Sequence, residues 1–153
     1  MAQFSLTVNG VPHRVEADEA TPLLYVLRNM IGLDGPRYGC GAEQCGACTV
    51  LVNGEPRHAC TVPIDQLAAA SVVTVEGLAR DGHPLIEAFL AHNAAQCGYC
   101  SSGILVEAAS LLAANPTPTR AEVMRALDGH LCRCGAHNRV IKAVLSVSSP
   151  EKP

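Results

Sequence analysis

Apolar and polar residues alternate at the start of the chain: polar neighbours separate Phe4, Leu6 and Val8, Asn9-Gly10 supplies a turn, and His13 to Ala17 reads as the returning strand. The period then lengthens. Thr21 is a predicted helix N-cap with Pro22 at the first helical position, and Leu23, Leu24, Val26, Leu27 and Met30 form one stripe that ends near Gly32. A glycine- and cysteine-rich loop, Gly39 to Cys48, leads into a predicted strand Thr49 to Val52, the turn Asn53-Gly54 and a second strand reaching Cys60. The β-branched run Val72 to Val75 predicts one further strand. Residues 1–76 are therefore expected to form a small mixed sheet packed on one helix.

From Pro84 onward the spacing is helical, and residues 77–153 are expected to form a second, helical unit, giving an α+β chain. The four predicted helices carry the stripes Leu85, Ile86, Phe89, Leu90; Ile104, Leu105, Ala108, Leu111, Leu112; Val123, Met124, Leu127; and Val140, Ile141, Val144, Leu145. Asn115-Pro116 with Pro118 separates the second helix from the third, Thr119 and Glu122 have capping-box spacing, and Asp128-Gly129 ends the third. The tail from Ser146 to Pro153 is expected to fray.

At 153 residues the chain can bury a core without disulfides. Its formal net charge of −3 gives no basic field for nucleic acid or an anionic membrane. The N-terminus MAQFSLTVNGVPHRV lacks the basic leader and apolar run of a secretory signal, and no window approaches a membrane span. A soluble, cytoplasmic protein with no direct membrane insertion is expected, although export with a signal-bearing partner stays open. In a reducing compartment, eight closely spaced cysteines point to metal or redox chemistry rather than to disulfides.

The first four follow Cys40-x4-Cys45-x2-Cys48-x11-Cys60, whose opening matches the plant-type ferredoxin loop around a 2Fe-2S cluster. Gly39, Gly41 and Gly46 would let the backbone curl closely about the inorganic core and aim N–H groups at its sulfides. The second four follow Cys97-x2-Cys100-x31-Cys132-x1-Cys134, each pair just before a predicted helix, so two positive helix ends would face an anionic core. On an ideal helix, residues two apart point about 200° from one another, so Cys132 and Cys134 should lie on a turn, which Gly135 suits. Two Zn(Cys)4 sites are the bland alternative, more open for the generic second spacing than for the first. The six histidines show no pairing at metal-ligand spacing and are expected on the surface or at caps, while Glu43 and Asp65 read as solvated loop charges. No Ser-His-Asp order, phosphate loop or paired-carboxylate site stands out. Each 2Fe-2S cluster takes one electron, so two of them could hold the pair released by a two-electron oxidation in a partner, docked on leftover apolar surface of the helical half.

The two cysteine sets in this order, with GCGAEQCGACTVLVNG in the first half and QCGYC and LCRCG in the second, resemble the iron-sulfur subunit of the molybdenum hydroxylases, the xanthine oxidase family, over about residues 3–146. The resemblance implies a β-grasp ferredoxin domain carrying Cys40, Cys45, Cys48 and Cys60, then a four-helix bundle carrying Cys97, Cys100, Cys132 and Cys134. It implies that Gln96 contacts, and Cys134 approaches, a molybdopterin, in cytosine dinucleotide form, held mainly by a large partner subunit that performs the hydroxylation. Electrons would enter at the bundle cluster and leave by the ferredoxin cluster. The ending CRCGAHNRVIKAV looks most like the isoquinoline oxidoreductase and nicotinate dehydrogenase group, which implies an N-heteroaromatic substrate and an acceptor in cytochrome c domains rather than a flavin subunit. An aldehyde or CO dehydrogenase-type complex, or a free-standing ferredoxin, are the alternatives. The chain departs from common members in having Glu43 in place of glycine, Ser101-Ser102 in place of Thr-Pro, and Gly135-Ala136 in place of Thr-Gly.

Overall fold

The computed structural model describes residues 1–148. Strands β1 (Ala2–Val8) and β2 (Val11–Ala17) form the expected hairpin, and β3 (Thr49–Val52) and β4 (Glu55–His58) form a second. Both turns put Asn and Gly at positive φ, Asn9 and Gly10 at 49° and 79° and Asn53 and Gly54 at 51° and 87°. That backbone matches the strand twist and suits those two residue types. Strand β5 (Ser71–Val73) lies between the hairpins, parallel to β1 and antiparallel to β3, so the mixed sheet has the order β2-β1-β5-β3-β4.

The first helix departs from the simple stripe. One α-turn, α1 (Leu23–Tyr25), continues as a π-helical turn, Val26–Met30, in which the Ile31 N–H reaches back to the Val26 carbonyl at 3.0 Å. The wider turn rotates the residues at its end: Leu23, Leu24, Val26 and Leu27 are fully buried, Met30 swings out to solvent, and Ile31 packs on the core instead. Pro22, extended and without a side-chain cap, takes the N-cap position expected of Thr21. The predicted fifth strand is also shorter, because Thr74 is the N-cap of a short helix α2 (Val75–Arg80). Gly77 lies within that helix. It is required there because a Cβ would collide with the Asn9 side chain, whose amide donates to Thr74 Oγ1 and whose oxygen accepts from the Thr74 N–H, both at 2.9 Å.

Helices α3 (Pro84–Ala91), α4 (Ser101–Ala114), α5 (Arg120–Ala126) and α6 (His137–Ser148) are the four expected. The Thr119–Glu122 capping box opens α5. Ser146 to Ser148 continue α6 rather than fray, and the remainder of the expected tail, residues 149–153, lies outside the described residues. Leu90 and Met124 face solvent at the edges of their stripes, leaving Leu85, Phe89, Val123 and Leu127 to fill the helical core.

Two cores result. One lies between the sheet and α1, the other among the helices, and β3 is the wall between them: Val50 and Val52 belong to the first, while Leu51 packs on the second. Each fully buried leucine contributes about 2–3 kcal/mol of burial. No helix among the described residues is long and apolar enough to cross a membrane.

His83 is the N-cap of α3, its Nδ1 accepting from the Leu85 N–H at 3.3 Å, which only the neutral ring can do. Burial holds its pKa below the ordinary value of 6.5. The folded state therefore binds this proton less readily than the unfolded one, and the cap's stabilisation is complete above the ordinary value and lost as pH falls from there through the lower folded value. Between about pH 7.5 and about pH 5.5 the wild type should lose more in Tm than His83→Asn, which caps without titrating. Parallel melting curves would show whether the difference exists.

Candidate metal centres

The loop from Gly39 to Cys48 joins the π-turn segment to β3, and Cys60 follows β4. Cys48 is buried, Cys45 and Cys60 are half-buried, and Cys40 is exposed. Backbone donors already point at sulfur: the N–H groups of Ala42 and Gln44 donate to Cys40 Sγ at 3.3 and 3.1 Å, and the Cys40 N–H to Cys45 Sγ at 3.3 Å. The N–H of Ala42, followed by that of Gln44, brings Cys40 down to about 7, whereas burial pushes Cys48 up to about 12.

The loop glycines divide their work. A Cβ on Gly39 would stand 2.5 Å from Cys45 Sγ, so this glycine makes room for that sulfur. Gly41 and Gly46, at φ 68° and 75°, also make room for neighbours outside the loop: the Tyr38 ring lies over Gly41, and the His130 ring over Gly46. Glu43 has φ 59°, a backbone conformation that favours glycine, and its carboxylate accepts from the Thr61 hydroxyl, beside Cys60. It is thus exposed but tethered, unlike the free loop charge its sequence context suggests; Asp65 lies exposed in a 3-10 turn, Ile64–Leu67.

The second set gathers at two helix starts. Cys100 is the N-cap of α4, and Cys132 and Cys134 precede α6 on a turn closed by Gly135 at φ 71°. The Tyr99 N–H donates to Cys97 Sγ at 3.5 Å and the Ala136 N–H to Cys132 Sγ at 3.4 Å. Cys97 is lowered by the Tyr99 N–H and then by the Cys134 thiol, and burial pushes Cys100 up to about 12. Burial is also the largest influence on Cys132 and acts to raise it, but the Ala136 N–H and the Cys100 thiol outweigh it and the net shift is downward. Gln96 is exposed, next to exposed Cys97.

Within each set the thiols lie close enough to shift one another's ionisation: Cys45 acts on Cys40, Cys60 and Cys45 on Cys48, Cys134 and Cys132 on Cys97, and Cys132 and Cys97 on Cys100. No three His, Cys, Asp or Glu side chains among the described residues surround a single point closely enough to share one ion. Four thiols gathered in one place are what a two-iron core takes, two per iron, and aimed N–H groups suit its sulfides. The buried thiols that are hard to ionise alone are the ones a cation would hold as thiolates. The residues present fit such a core at both places.

The two sets touch. The Leu131 N–H, one residue before Cys132, donates to the Cys45 carbonyl at 3.0 Å. A cavity of about 160 Å³ between them is lined by Cys45, Ala47, Cys97, Cys100 and Leu131, among others. His130 is buried here, contrary to the surface or capping role expected of it, with Nε2 donating to Thr49 Oγ1 at 3.1 Å while the Thr49 hydroxyl donates to the Gly46 carbonyl at 2.8 Å. Burial, helped by His58 and His137, depresses it to about 4, so Glu107 at 3.9 Å is a neighbour and not an ion-pair partner. His137 caps the His130 carbonyl through Nε2 at 2.7 Å. His130, Thr49, Arg37 and Tyr99 join the sets without any repeated spacing, so no sequence signal marks them.

Residues 6–79 match the model of the 2Fe-2S iron-sulfur cluster binding domain and residues 74–145 that of the [2Fe-2S] binding domain. The chain is 44% identical to a nicotinate dehydrogenase subunit of Pseudomonas putida, covering 92% of this chain and 91% of that one. It is 46% identical to the alpha subunit of isoquinoline 1-oxidoreductase from Brevundimonas diminuta, covering 94% and 95%. Among solved structures, quinoline 2-oxidoreductase from Pseudomonas putida matches with a TM-score of 0.91 at 37% identity over 96% of this chain and 92% of that chain. The aldehyde oxidoreductase of Desulfovibrio desulfuricans matches at 0.92 and 37%, over 97% of this chain but 17% of that much longer one.

Where the halves meet, a Cβ on Gly103 would collide with the Gly46 carbonyl, and backbone cannot step aside cheaply. Gly103→Ala should lower stability by about 1–3 kcal/mol, read as a fall in Tm of the cluster-loaded protein. Gly129→Ala is the control, since a Cβ there meets open space and the Tm should hold.

Proposed function

The chain belongs to the iron-sulfur subunits of the molybdenum hydroxylases, in the isoquinoline 1-oxidoreductase and nicotinate dehydrogenase group, and we propose that it is the two-cluster electron conduit of such a complex. It is a non-catalytic subunit of a molybdenum-containing oxidoreductase. Cys40, Cys45, Cys48 and Cys60 hold one 2Fe-2S cluster and Cys97, Cys100, Cys132 and Cys134 the other; the gathering of each set of thiols with backbone N–H groups directed at their sulfurs is the observation that carries this assignment. Each cluster, when bound, takes and releases one electron.

The reading divides the chain at residue 76 into a β-grasp ferredoxin domain and a four-helix domain, in keeping with the two cores, although α2 spans that position. The Cys97 set faces the molybdopterin, in cytosine dinucleotide form, of a large partner subunit, with Gln96 and Cys134 at the contact; Gln96 is exposed and free to make it. The Cys40 set passes electrons outward to cytochrome c domains or a flavin subunit, and exposed Cys40 supports an exit there. Relatives named for nicotinate and isoquinoline favour an N-heteroaromatic substrate over the aldehydes named for relatives of 36% identity.

In the purified complex, dithionite should reveal two 2Fe-2S signals of equal intensity by electron paramagnetic resonance, with about four irons per chain. Cys48→Ser should remove one signal while substrate still reduces the other; Cys134→Ser should damage the second signal and stop substrate from reducing the first. Normal reduction of the first cluster in the Cys134 variant would overturn the order of transfer. Gln96→Ala should lower molybdenum occupancy with iron unchanged.

A further inference from the structure

The contacts between the halves include one that runs in both directions between adjacent residues of the two cysteine-bearing loops. Arg37 and Tyr38 precede Gly39 and Cys40; Gly98 and Tyr99 lie between Cys97 and Cys100. The half-buried Arg37 guanidinium donates through Nη1 to the carbonyls of Gly98 and of Tyr99, the latter at 3.1 Å. In return the Tyr99 hydroxyl donates to the Tyr38 carbonyl. The guanidinium carbon also sits 5.4 Å from the Tyr99 ring centroid, so the ring that reaches across is held under the cation that reaches back.

Both ends are braced. The Arg37 N–H donates to the Ala47 carbonyl at 3.1 Å, which ties the arginine backbone to the residue before Cys48. Tyr38 stacks on Tyr25, centroids 6.5 Å apart, and its ring fills the space above Gly41. On the other side the turn carrying the two carbonyls runs directly into α4. Two further hydrogen bonds between the halves, Leu131 to Cys45 and His130 to Thr49, reach the Cys132 side of the second set. The clasp reaches the Cys97–Cys100 side.

We propose that the reciprocal Arg37–Tyr99 clasp is a positioning device that fixes the separation and orientation of the two clusters and thereby the rate of electron passage between them. The inference rests on the two-cluster reading above. It assigns Arg37 a geometric role: Nη1 alone reaches both carbonyls while the planar group lies over the Tyr99 ring, a combination that a flexible lysine ammonium does not hold in the same geometry.

The test uses the whole complex carrying Arg37→Gln with Tyr99→Phe, and each of Arg37→Lys and Tyr99→Phe alone. The readouts are iron content, the magnetic coupling between the two reduced clusters, which depends on their distance and orientation, and the rate of reduction of the Cys40 cluster after the Cys97 cluster, followed by freeze-quench. In the double variant, with iron and both signals retained, the coupling should change and inter-cluster transfer should slow several-fold. Arg37→Lys should share the defect in lesser degree. Wild-type coupling and rate in the double variant would overturn the proposal. So would full wild-type behaviour in Arg37→Lys, because charge alone would then suffice. If the double variant loses a cluster, Tyr99→Phe decides, since it keeps the ring and removes one bond: altered coupling supports the clasp and unaltered coupling overturns it. A wild-type complex without two 2Fe-2S signals would instead remove the underlying reading.

Discussion

The approach of Gly103 to the Gly46 carbonyl sets the distance between the two halves. It brings the cysteine loop of the sheet half against the first turn of α4, the helix that Cys100 caps. A side chain at Gly103 would force them apart, and one at Gly46 would meet the His130 ring in a backbone conformation that L-residues rarely adopt. The Leu131–Cys45 bond, the His130–Thr49 bond and the Arg37–Tyr99 clasp all presuppose this contact. Strand β3 follows Cys48 directly, which explains why it serves as a wall shared by both cores.

The two thiol sets reach the same electrostatic solution by different routes. In the first, a nine-residue glycine-bearing loop, Cys40–Cys48, supplies three donors and its own N–H groups, and the Cys40–Cys45 pair is local. In the second, two cysteines come from the α4 end and two from the α6 end, so the set does not exist until the helical core has brought those ends together. Each set has one thiol that its surroundings make resist ionisation, buried Cys48 and half-buried Cys100, and one exposed thiol eased toward it by backbone N–H groups. The first set is thus a property of a loop, and the second a property of a fold.

That difference decided what could be read from residues alone. The x4-x2 spacing with its glycines carries the loop's geometry in the sequence, as do the Asn-Gly hairpins at positive φ and the Thr119–Glu122 box. The π-turn at Val26–Met30 was not legible, because its extra residue changes which of Met30 and Ile31 is buried without changing composition. Helix α2 was hidden by Gly77, which serves Asn9 rather than the helix. His130 looked like any isolated histidine; its burial follows from a tertiary contact with a glycine far away in the chain. Glu43 read as a loop charge because its tether, Thr61, lies outside the motif.

The halves are joined without charge pairing. Met1–Asp18, Arg28–Asp34 and Arg80–Asp81 are the Lys/Arg or N-terminal ion pairs among the described residues, and none bridges the two cysteine sets. The groups that do are backbone carbonyls and N–H groups, a histidine kept neutral by burial, a tyrosine hydroxyl, and one arginine directed at carbonyls rather than carboxylates. Salt screens interactions between exposed charges over about 8–10 Å, but leaves close packing and neutral hydrogen bonds largely intact. A junction made this way keeps its spacing whatever the ionic strength.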